Sequence, residues 1–236
     1  MAVTRLSGGT TPANGSDPRT FPTIWNATAD VIEANETAID SLALTSLSGV
    51  SITSPVDNQL LTYNGTNWVN EAPAVPAGSV LQVVSTTKTD VSTTTSATFG
   101  DISGLTLAIT PQSTTSKILM TGMVNMSAGG SDAITVAGFM RLSRGGTVLA
   151  VGDSAGIRVP ATGETRGTVQ LAEAYHTVPL SFNFLDSPGT TSAITYAVQF
   201  RADGSRTAAV NRAAVDVNDA ISARTVSTIT LMEVAG

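Results

Sequence analysis

The feature that most constrains this chain is a series of short strand-like runs that fills residues 79–236. Nine runs rich in β-branched or apolar residues are bounded by Gly, Pro, Asp or Ser-Thr clusters, with no helical pattern between them. The runs are "SVLQVVSTT", "LTLAIT", "KILMTGMVNMS", "AITVAGFMRLS", "TVLAVG", "TVQLAEAYHTV", "LSFNFLD", "AITYAVQFRA" and "TVSTITLMEVA". Alternation in the eighth run predicts one shared face for Ile194, Tyr196, Val198 and Phe200. The pattern predicts a mainly β fold with a C-terminal antiparallel β-sandwich of jelly-roll type.

The residues before this series divide into four segments of different composition. Residues 1–20 are rich in Gly, Pro, Ser and Thr and have almost no apolar periodicity, so we expect an arm that is disordered or held extended by a partner. Residues 21–43 carry a helical pattern, and residues 44–72 carry a small β-hairpin pattern. Residues 73–78 are Pro-rich, which predicts a stiff, extended linker.

The helical segment has a heptad seam formed by Trp25, Ile32, Asn35, Ile39 and Leu42. One interpretation is an amphipathic helix packed on its own domain. The other is a short parallel coiled coil of three chains, in which the Asn is the buried polar residue that sets register and oligomer number. We favour the coiled coil, because so short a helix is marginal in water without partners and nothing adjacent resembles a domain.

The hairpin segment, "LLTYNGTNWV", contains the Asn-Gly pair that is typical of a two-residue type I′ turn. This turn would pair Tyr63 with Thr66 and Leu61 with Trp68. An isolated two-stranded hairpin is marginal in water, so the apolar face needs a partner. That partner is either the following sandwich or two further copies of the chain around a three-fold axis. We favour the copies, with Leu61 and Trp68 in the trimer interface.

Composition excludes several classes of protein. The net charge is −6 at pH 7 and no Lys/Arg cluster is present, which argues against nucleic-acid binding. The chain has no Cys, so disulfides and thiolate metal sites are excluded. We find no apolar run of the length that a secretion signal or a membrane span requires. Stability must therefore come from packing or from assembly.

No motif in the chain predicts catalysis, a metal or a cofactor. "GDSAG" places Ser154 in a G-x-S-x-G pattern, but the following "IRVPATGETRG" is not the helix that a nucleophile elbow requires, so we interpret it as a Gly-rich turn. His176 is the only His, which leaves it as a surface or subunit-contact residue. Carboxylates that a glycosidase could use exist at Glu164, Glu173, Asp186 and Asp203. We predict that the protein is not an enzyme.

Two stretches resemble parts of bacteriophage fibres. "LTSLSGVSITSPVDNQLLTYNGTNWVNEAP" resembles a small β module common in phage fibres. "GSVLQVVSTTKTDVSTTTSATFGDISGLTLAITPQSTTSKILMTGMVNMS" resembles the opening of a C-terminal fibre domain, with the recurrent core G-L-x-L-x-I-x-P-x-S-x-x-S-K-I-L at Gly104–Leu119. The order of arm, coiled coil, hairpin, linker and sandwich is also similar to tail fibres and related virion fibres.

The resemblance implies a homotrimeric virion protein. The N-terminal arm would dock on a phage tail or baseplate adaptor protein through Arg5, Arg19 and Phe21, and the sandwich would face a bacterial surface glycan. The alternative is a capsid fibre or decoration protein that docks on the head by the same arm. The sequence does not name the receptor-binding residues.

Overall fold

The computed structural model describes residues 30–32, 34–37, 43–44, 47–129, 136–167, 175–204 and 206–236. The chain divides into two compact units, Met1–Ala74 and Val75–Gly236, and the division falls inside the predicted linker. The strands of the first unit are β1 (Val50–Ser51), β2 (Leu60–Tyr63) and β3 (Trp68–Glu71). The strands of the second unit are β4 (Val80–Lys88), β5 (Ser92–Thr94), β6 (Gly100–Ile109), β7 (Lys117–Gly129), β8 (Val136–Arg144), β9 (Thr147–Leu149), β10 (Gly163–Gly167), β11 (Val178–Asp186), β12 (Ile194–Ala202), β13 (Thr207–Val210) and β14 (Ser227–Val234).

In the first unit, residues 30–32 and 34–37 are helical, and the side chains of Ile32 and Asn35 are exposed. The other predicted seam and docking residues lie outside the described residues: Arg5, Arg19, Phe21, Trp25, Ile39 and Leu42. The coiled coil therefore stays a prediction. Among the helical residues that the structure describes, none belongs to a helix long and apolar enough to cross a membrane.

The small sheet of the first unit has the strand order β1-β3-β2, with β1 parallel and β2 antiparallel to β3. The predicted two-residue turn is wrong, because four residues, 64–67, connect β2 to β3. Tyr63 pairs with Trp68, and Leu61 pairs with Asn70. The register is thus displaced by two residues from the prediction.

The side chain of Asn64 explains the longer turn. Its Oδ1 accepts hydrogen bonds from the backbone N–H groups of Thr66 and Asn67, both at 3.0 Å. Its own N–H donates to the carbonyl of Asn67 at 3.0 Å, which closes the loop. Such local Asx bonding competes with the tight turn that the Asn-Gly pair would otherwise make.

The displaced register leaves the composition of the hairpin face unchanged. Side chains alternate with a period of two along a strand, so a slip of two residues returns each one to its original face. Leu61, Tyr63 and Trp68 therefore share a face, as the sequence predicts, and the rings of Tyr63 and Trp68 lie 5.5 Å apart. Leu61 is 42% exposed and Trp68 is 47% exposed, so this apolar face is open in the single chain.

The second unit is built from four nested antiparallel strand pairs. β4 pairs with β14, β6 with β12, β7 with β11 and β8 with β10. The chain is therefore one long antiparallel ribbon that doubles back between β8 and β10. Rolling this ribbon gives two sheets, β4-β14-β7-β11 and β10-β8-β12-β6, which is the arrangement of a jelly roll. The prediction of a mainly β fold is confirmed, and the two sheets agree with the predicted C-terminal β-sandwich.

We name the two sheets after their long central strands. The β7 sheet also contains β13 and β5, which continue beside β7, and the β8 sheet also contains β9. Buried apolar side chains from both sheets form one core, and its residues with no exposed surface include Ile102, Leu105, Ile118, Met120, Val124, Met126, Met140, Leu142, Tyr196, Val198, Ile229 and Leu231.

Eight of the nine predicted runs coincide with strands of this unit. The remaining run, "TVQLAEAYHTV", lies mostly outside the described residues. The prediction missed β5, β10 and β13, whose sequences are "STT", "GETRG" and "TAAV". These strands are short and rich in polar or small residues, so they have little strand propensity of their own. They are extended because a longer neighbouring strand offers them a ladder of hydrogen bonds.

The outermost pair of the ribbon, β4 with β14, is joined by a buried carboxylate. Glu233 of β14 has no exposed surface and accepts a hydrogen bond from Gln82 Nε2 of β4 at 2.6 Å. It also accepts one from the backbone N–H of Gln112 at 2.6 Å. Burial alone raises the pKa of Glu233, but its hydrogen bonds, including these two, outweigh burial and hold the pKa below its ordinary value.

Replacing Glu233 by Gln tests this junction. The substitution keeps the shape of the side chain but turns one accepting oxygen towards an NH₂ group, which cannot accept a hydrogen bond. We expect the free energy of unfolding in urea to fall by about 1.5–3 kcal/mol at neutral pH, the range for a hydrogen bond to a charged group. The control, Glu164→Gln on the exposed part of β10, should change it by no more than about 0.5 kcal/mol.

The pH dependence of the same variant tests whether the charge of Glu233, and not only the shape of its side chain, stabilises the fold. Because the folded-state pKa of Glu233 lies below its unfolded value, the ionised carboxylate stabilises the fold above the unfolded pKa, and this contribution is lost as pH falls through the folded pKa. Between about pH 6 and about pH 3, the wild-type protein should therefore lose more stability than Glu233→Gln. An equal loss in both proteins would contradict the role of the charge.

Candidate ligand-binding face

The outward face of the β8 sheet carries an unusual set of side chains. Along β8, Met140 and Leu142 point into the core, so the intervening Arg141 and its neighbour Phe139 point outward. Along β12, the same alternation turns Gln199 outward, together with Arg201. Directly opposite residues of neighbouring strands lie on the same face. Arg141 lies opposite Gln199, and Phe139 lies opposite Arg201.

A β-bulge adds a carboxylate to this face. Ile102 and Leu105 of β6 are both fully buried although they are three residues apart, a spacing that would point them to opposite faces of a regular strand. The register of β6 against β12 is irregular here, and Gly104 takes a φ of 83°. The bulge lets both apolar side chains enter the core while Asp101 stays outward, opposite Gln199.

Two arginines and two phenylalanines form the centre of the face, and we call them the Arg–Phe cluster: Phe99, Phe139, Arg141 and Arg201. Phe99 is the residue immediately before β6. The guanidinium carbon of Arg141 lies 4.2 Å from the centroid of the Phe99 ring. That of Arg201 lies 5.8 Å from the same centroid and 5.3 Å from the centroid of Phe139. These are distances at which a cation is attracted to the electron-rich face of an aromatic ring.

A chain of hydrogen bonds joins one cross-strand row of the face, which runs from Arg141 through Gln199 to Asp101. Arg141 Nε donates to Gln199 Oε1 at 2.7 Å, and Gln199 Nε2 donates to Asp101 Oδ1 at 2.8 Å. Both ends of the Gln199 amide are thus engaged, so its orientation is determined. The chain crosses three strands, β8, β12 and β6, and it holds Arg141 in place against Phe99.

Most of the other described arginines form ion pairs, and the two arginines of the cluster do not. Arg144 is paired with Asp186 at 2.6 Å, and Arg224 is paired with Asp216 at 2.6 Å. In the part of the chain that the structure describes, neither Arg141 nor Arg201 forms an ion pair; Nε of Arg201 donates to a backbone carbonyl at 2.9 Å. Burial lowers the pKa of Arg141, but an arginine keeps its charge in proteins.

Beside the row of Arg141, Gln199 and Asp101 is a shallow depression of about 140 Å³. It is lined by Asp101, Ser143, Gly145, Gly146, Thr195, Ala197 and Gln199. A pocket that encloses a drug-sized ligand has a volume of about 300 Å³ or more. The face is therefore open, and it suits a ligand that lies across the sheet.

The outward face of the β7 sheet is different in character. Its cross-strand rows carry uncharged side chains, for example Ser85, Thr230, Thr121 and Asn183 on four successive strands. The neighbouring row carries Val83, Met232, Leu119 and Leu185. The charged and aromatic side chains thus lie on the outward face of the β8 sheet only, as far as the central rows of these two sheets are concerned.

The residues that the sequence singled out for chemistry are not brought together. Ser154 is exposed in the connection between β9 and β10, and the described residues after it contain no helix before β10. His176 is exposed ahead of β11. Within the described ranges, no group of three His, Asp or Glu side chains could hold a metal ion.

The candidate carboxylates have separate environments. Glu164 forms an exposed ion pair with Arg166 at 3.4 Å. Asp186 is buried and accepts a hydrogen bond from the Tyr196 hydroxyl at 2.7 Å, in addition to its ion pair with Arg144. Asp203 is exposed after β12, and Glu173 lies outside the described residues.

Sequence reasoning did not find the Arg–Phe cluster. The available signal was local: "GFMRLS" and "AVQFRA" both alternate apolar residues with Arg, Gln or Phe. Alternation predicts that these polar residues point outward, but not that the two strands are neighbours. No pattern in the sequence was recognised as the bulge in β6 that keeps Asp101 on this face.

Comparison with known proteins gives no family. No protein-family model matches the chain, and no curated protein is similar to it. Among solved structures, the crystal structure of the infectious bursal disease virus VP2 subviral particle is similar with a TM-score of 0.29 and 9% identity, over 78% of this chain and 50% of that chain. The structure of the infectious bursal disease virus Gt strain gives a TM-score of 0.27 and 13% identity, over 83% of this chain and 50% of that chain. The chain thus spans about half the length of these proteins, and TM-scores this low support no conclusion.

A double-mutant cycle tests the contact between Arg141 and Phe99. We expect Phe99→Leu and Arg141→Met to show a coupling of about 0.5–1 kcal/mol in the free energy of unfolding, the range for a partly exposed cation–π pair. Arg141→Met removes the hydrogen bond to Gln199 both in the wild-type background and in the Phe99→Leu background, so the free energy of that bond cancels in the coupling. A parallel cycle with Arg158→Met, whose guanidinium bonds a nearby carbonyl instead, should show no coupling. Coupling near zero in the first cycle would contradict the contact.

Proposed function

We propose that this chain is a virion structural protein, a short trimeric phage tail fibre that adsorbs to the bacterial surface. Residues 1–20 attach it to the tail, and the jelly roll presents the outward face of its β8 sheet to a surface glycan. The observation that carries this proposal is the Arg–Phe cluster with its hydrogen-bonded neighbours, on an open sheet face.

The chemistry of the face matches that of a sugar. A sugar ring has apolar C–H faces that pack on aromatic rings, and hydroxyl groups that exchange hydrogen bonds with fixed polar groups. Phe99 and Phe139 supply the rings, and Asp101, Gln199 and Arg141 supply acceptors and donors whose positions are set by one another. Because these side chains stand on paired strands, apart from Phe99 immediately before β6, little conformational entropy remains to be lost on binding.

Assembly as a trimer is supported by the exposed apolar side chains of the first unit. Ile32 is 41% exposed, Leu61 is 42% exposed and Trp68 is 47% exposed. Burial of such surface between chains would stabilise a helix and a small sheet that are marginal alone. Three copies would also present three faces together, which raises the avidity for a repetitive polymer without any new contact.

The trimer predicts a solution mass about three times the 24.0 kDa of the chain, measured by light scattering. Leu61→Ser combined with Trp68→Ser should lower that mass at low protein concentration, because the apolar contact is removed. Ile157→Ser removes a fully exposed apolar side chain of the second unit and should leave the mass unchanged. A mass equal to one chain for the unaltered protein would contradict assembly.

Adsorption is tested by sedimentation with envelope fractions from a panel of bacteria. We expect the wild-type protein to bind at least one fraction, and periodate oxidation of its sugars to abolish binding. Phe99→Ala combined with Phe139→Ala should weaken binding by about tenfold or more, since each buried aromatic contact contributes strongly. The control Leu185→Ala, on the outward face of the β7 sheet, should bind normally.

Two results would overturn the proposed function. The first is the absence of binding to every fraction. The second is binding that survives periodate but is abolished by protease treatment of the fraction, which would indicate a protein receptor instead of a glycan.

A further inference from the structure

The outward face of the β8 sheet has a local excess of positive charge on an acidic chain. The whole chain has a net charge of −6. The strands of this face nevertheless present three arginines, Arg141, Arg166 and Arg201, against two carboxylates, Asp101 and Glu164. A ligand that approaches this face therefore meets more cations than anions.

The two carboxylates do not neutralise the arginines of the Arg–Phe cluster. Asp101 accepts its hydrogen bond from the Gln199 amide, and Glu164 pairs with Arg166 of its own strand. Arg141 and Arg201 each use Nε within the protein, on Gln199 and on the carbonyl of Ala202. Their terminal Nη groups make no hydrogen bond to the part of the chain that the structure describes.

The geometry brings these two cations close together. The guanidinium carbons of Arg141 and Arg201 both lie near the centroid of one ring, Phe99, at 4.2 Å and 5.8 Å. Arg141 lies opposite Gln199, two residues from Arg201, so the two arginines occupy diagonal positions on one face of the sheet. Like charges on neighbouring positions repel, and the described residues form no ion pair with either arginine. An anion bound at this point would relieve the repulsion and receive N–H groups from two guanidinium forks, which match the oxygens of a carboxylate or a phosphate.

We infer that the ligand of this face is an acidic glycan whose carboxylate or phosphate group is bound by Arg141 and Arg201. The inference rests on the proposed glycan binding and adds the chemical class of the sugar. The charged group would come from an acidic sugar or from a phosphate in the polymer. The rings of Phe99 and Phe139 would contact the sugar beside it.

The test uses three soluble polymers as probes, measured by isothermal titration calorimetry with the full chain. Polygalacturonate supplies carboxylates, a poly(hexosyl phosphate) supplies phosphates on a chain of sugars, and dextran supplies neither. We expect one of the two acidic polymers to bind at least tenfold more tightly than dextran, and its identity assigns the source of the charge. Raising the NaCl concentration should weaken this binding, because the contact is ionic.

Variants locate the contact. Arg141→Gln and Arg201→Gln should each weaken binding of the preferred acidic polymer by tenfold or more. Arg201→Lys keeps the charge but loses the fork, so it should bind with intermediate affinity. Arg158→Gln removes an exposed arginine outside the face and should bind as the wild type does. A cooperative thermal unfolding transition in each variant, well above the temperature of the binding measurement, shows that the fold is retained.

Three outcomes would overturn the inference. The first is equal affinity for dextran and both acidic polymers. The second is undiminished acidic-polymer binding by both Gln variants. The third is a change in the light-scattering mass of the Gln variants, which would make the face a contact between copies of the chain. Failure of this inference is distinguishable from failure of the proposed function, because periodate-sensitive binding to envelope fractions would persist when only the acidic class is wrong.

Discussion

The structure of the second unit depends on the pairing of its first strand, β4, with its last, β14. The other strand pairs of the ribbon are nested inside this one, so pairing its two ends closes the roll. Contacts so distant in sequence require closure of a long loop, and the entropy cost of that closure must be offset by the pair itself. Glu233 contributes to this by binding Gln82 of the partner strand and the backbone of Gln112.

The roll also positions the side chains of the candidate binding face. The core side chains of β6, β8 and β12 pack against the β7 sheet, and their outward neighbours are positioned as a consequence. Asp101, Gln199 and Arg141 come from three strands, yet one chain of hydrogen bonds joins them. The face is thus a product of sheet geometry, with the bulge at Gly104 as its one local adjustment.

The limits of sequence reasoning are physical and can be seen in particular elements. Long runs with strong alternation, such as β12, were located correctly because burial of one face imposes a period of two. β10 was missed because "GETRG" has almost no strand propensity and is extended by its ladder to β8. The turn after Tyr63 was mispredicted because the Asn64 side chain bonds two backbone N–H groups, a competition that the Asn-Gly pair does not reveal.

Along the strands that alternate regularly, the sequence by itself determined which side chains point into the core and which point out; in β6 the bulge breaks that alternation. It also determined the apolar face of the small sheet, which survives a two-residue change of register. Only the tertiary structure decided which outward side chains are neighbours. Phe99, Phe139 and Arg201 lie far apart in the chain, and they meet because β6 and β8 both pair with β12. Strand order depends on how the whole ribbon rolls to bury its core, and no local period in the sequence encodes it.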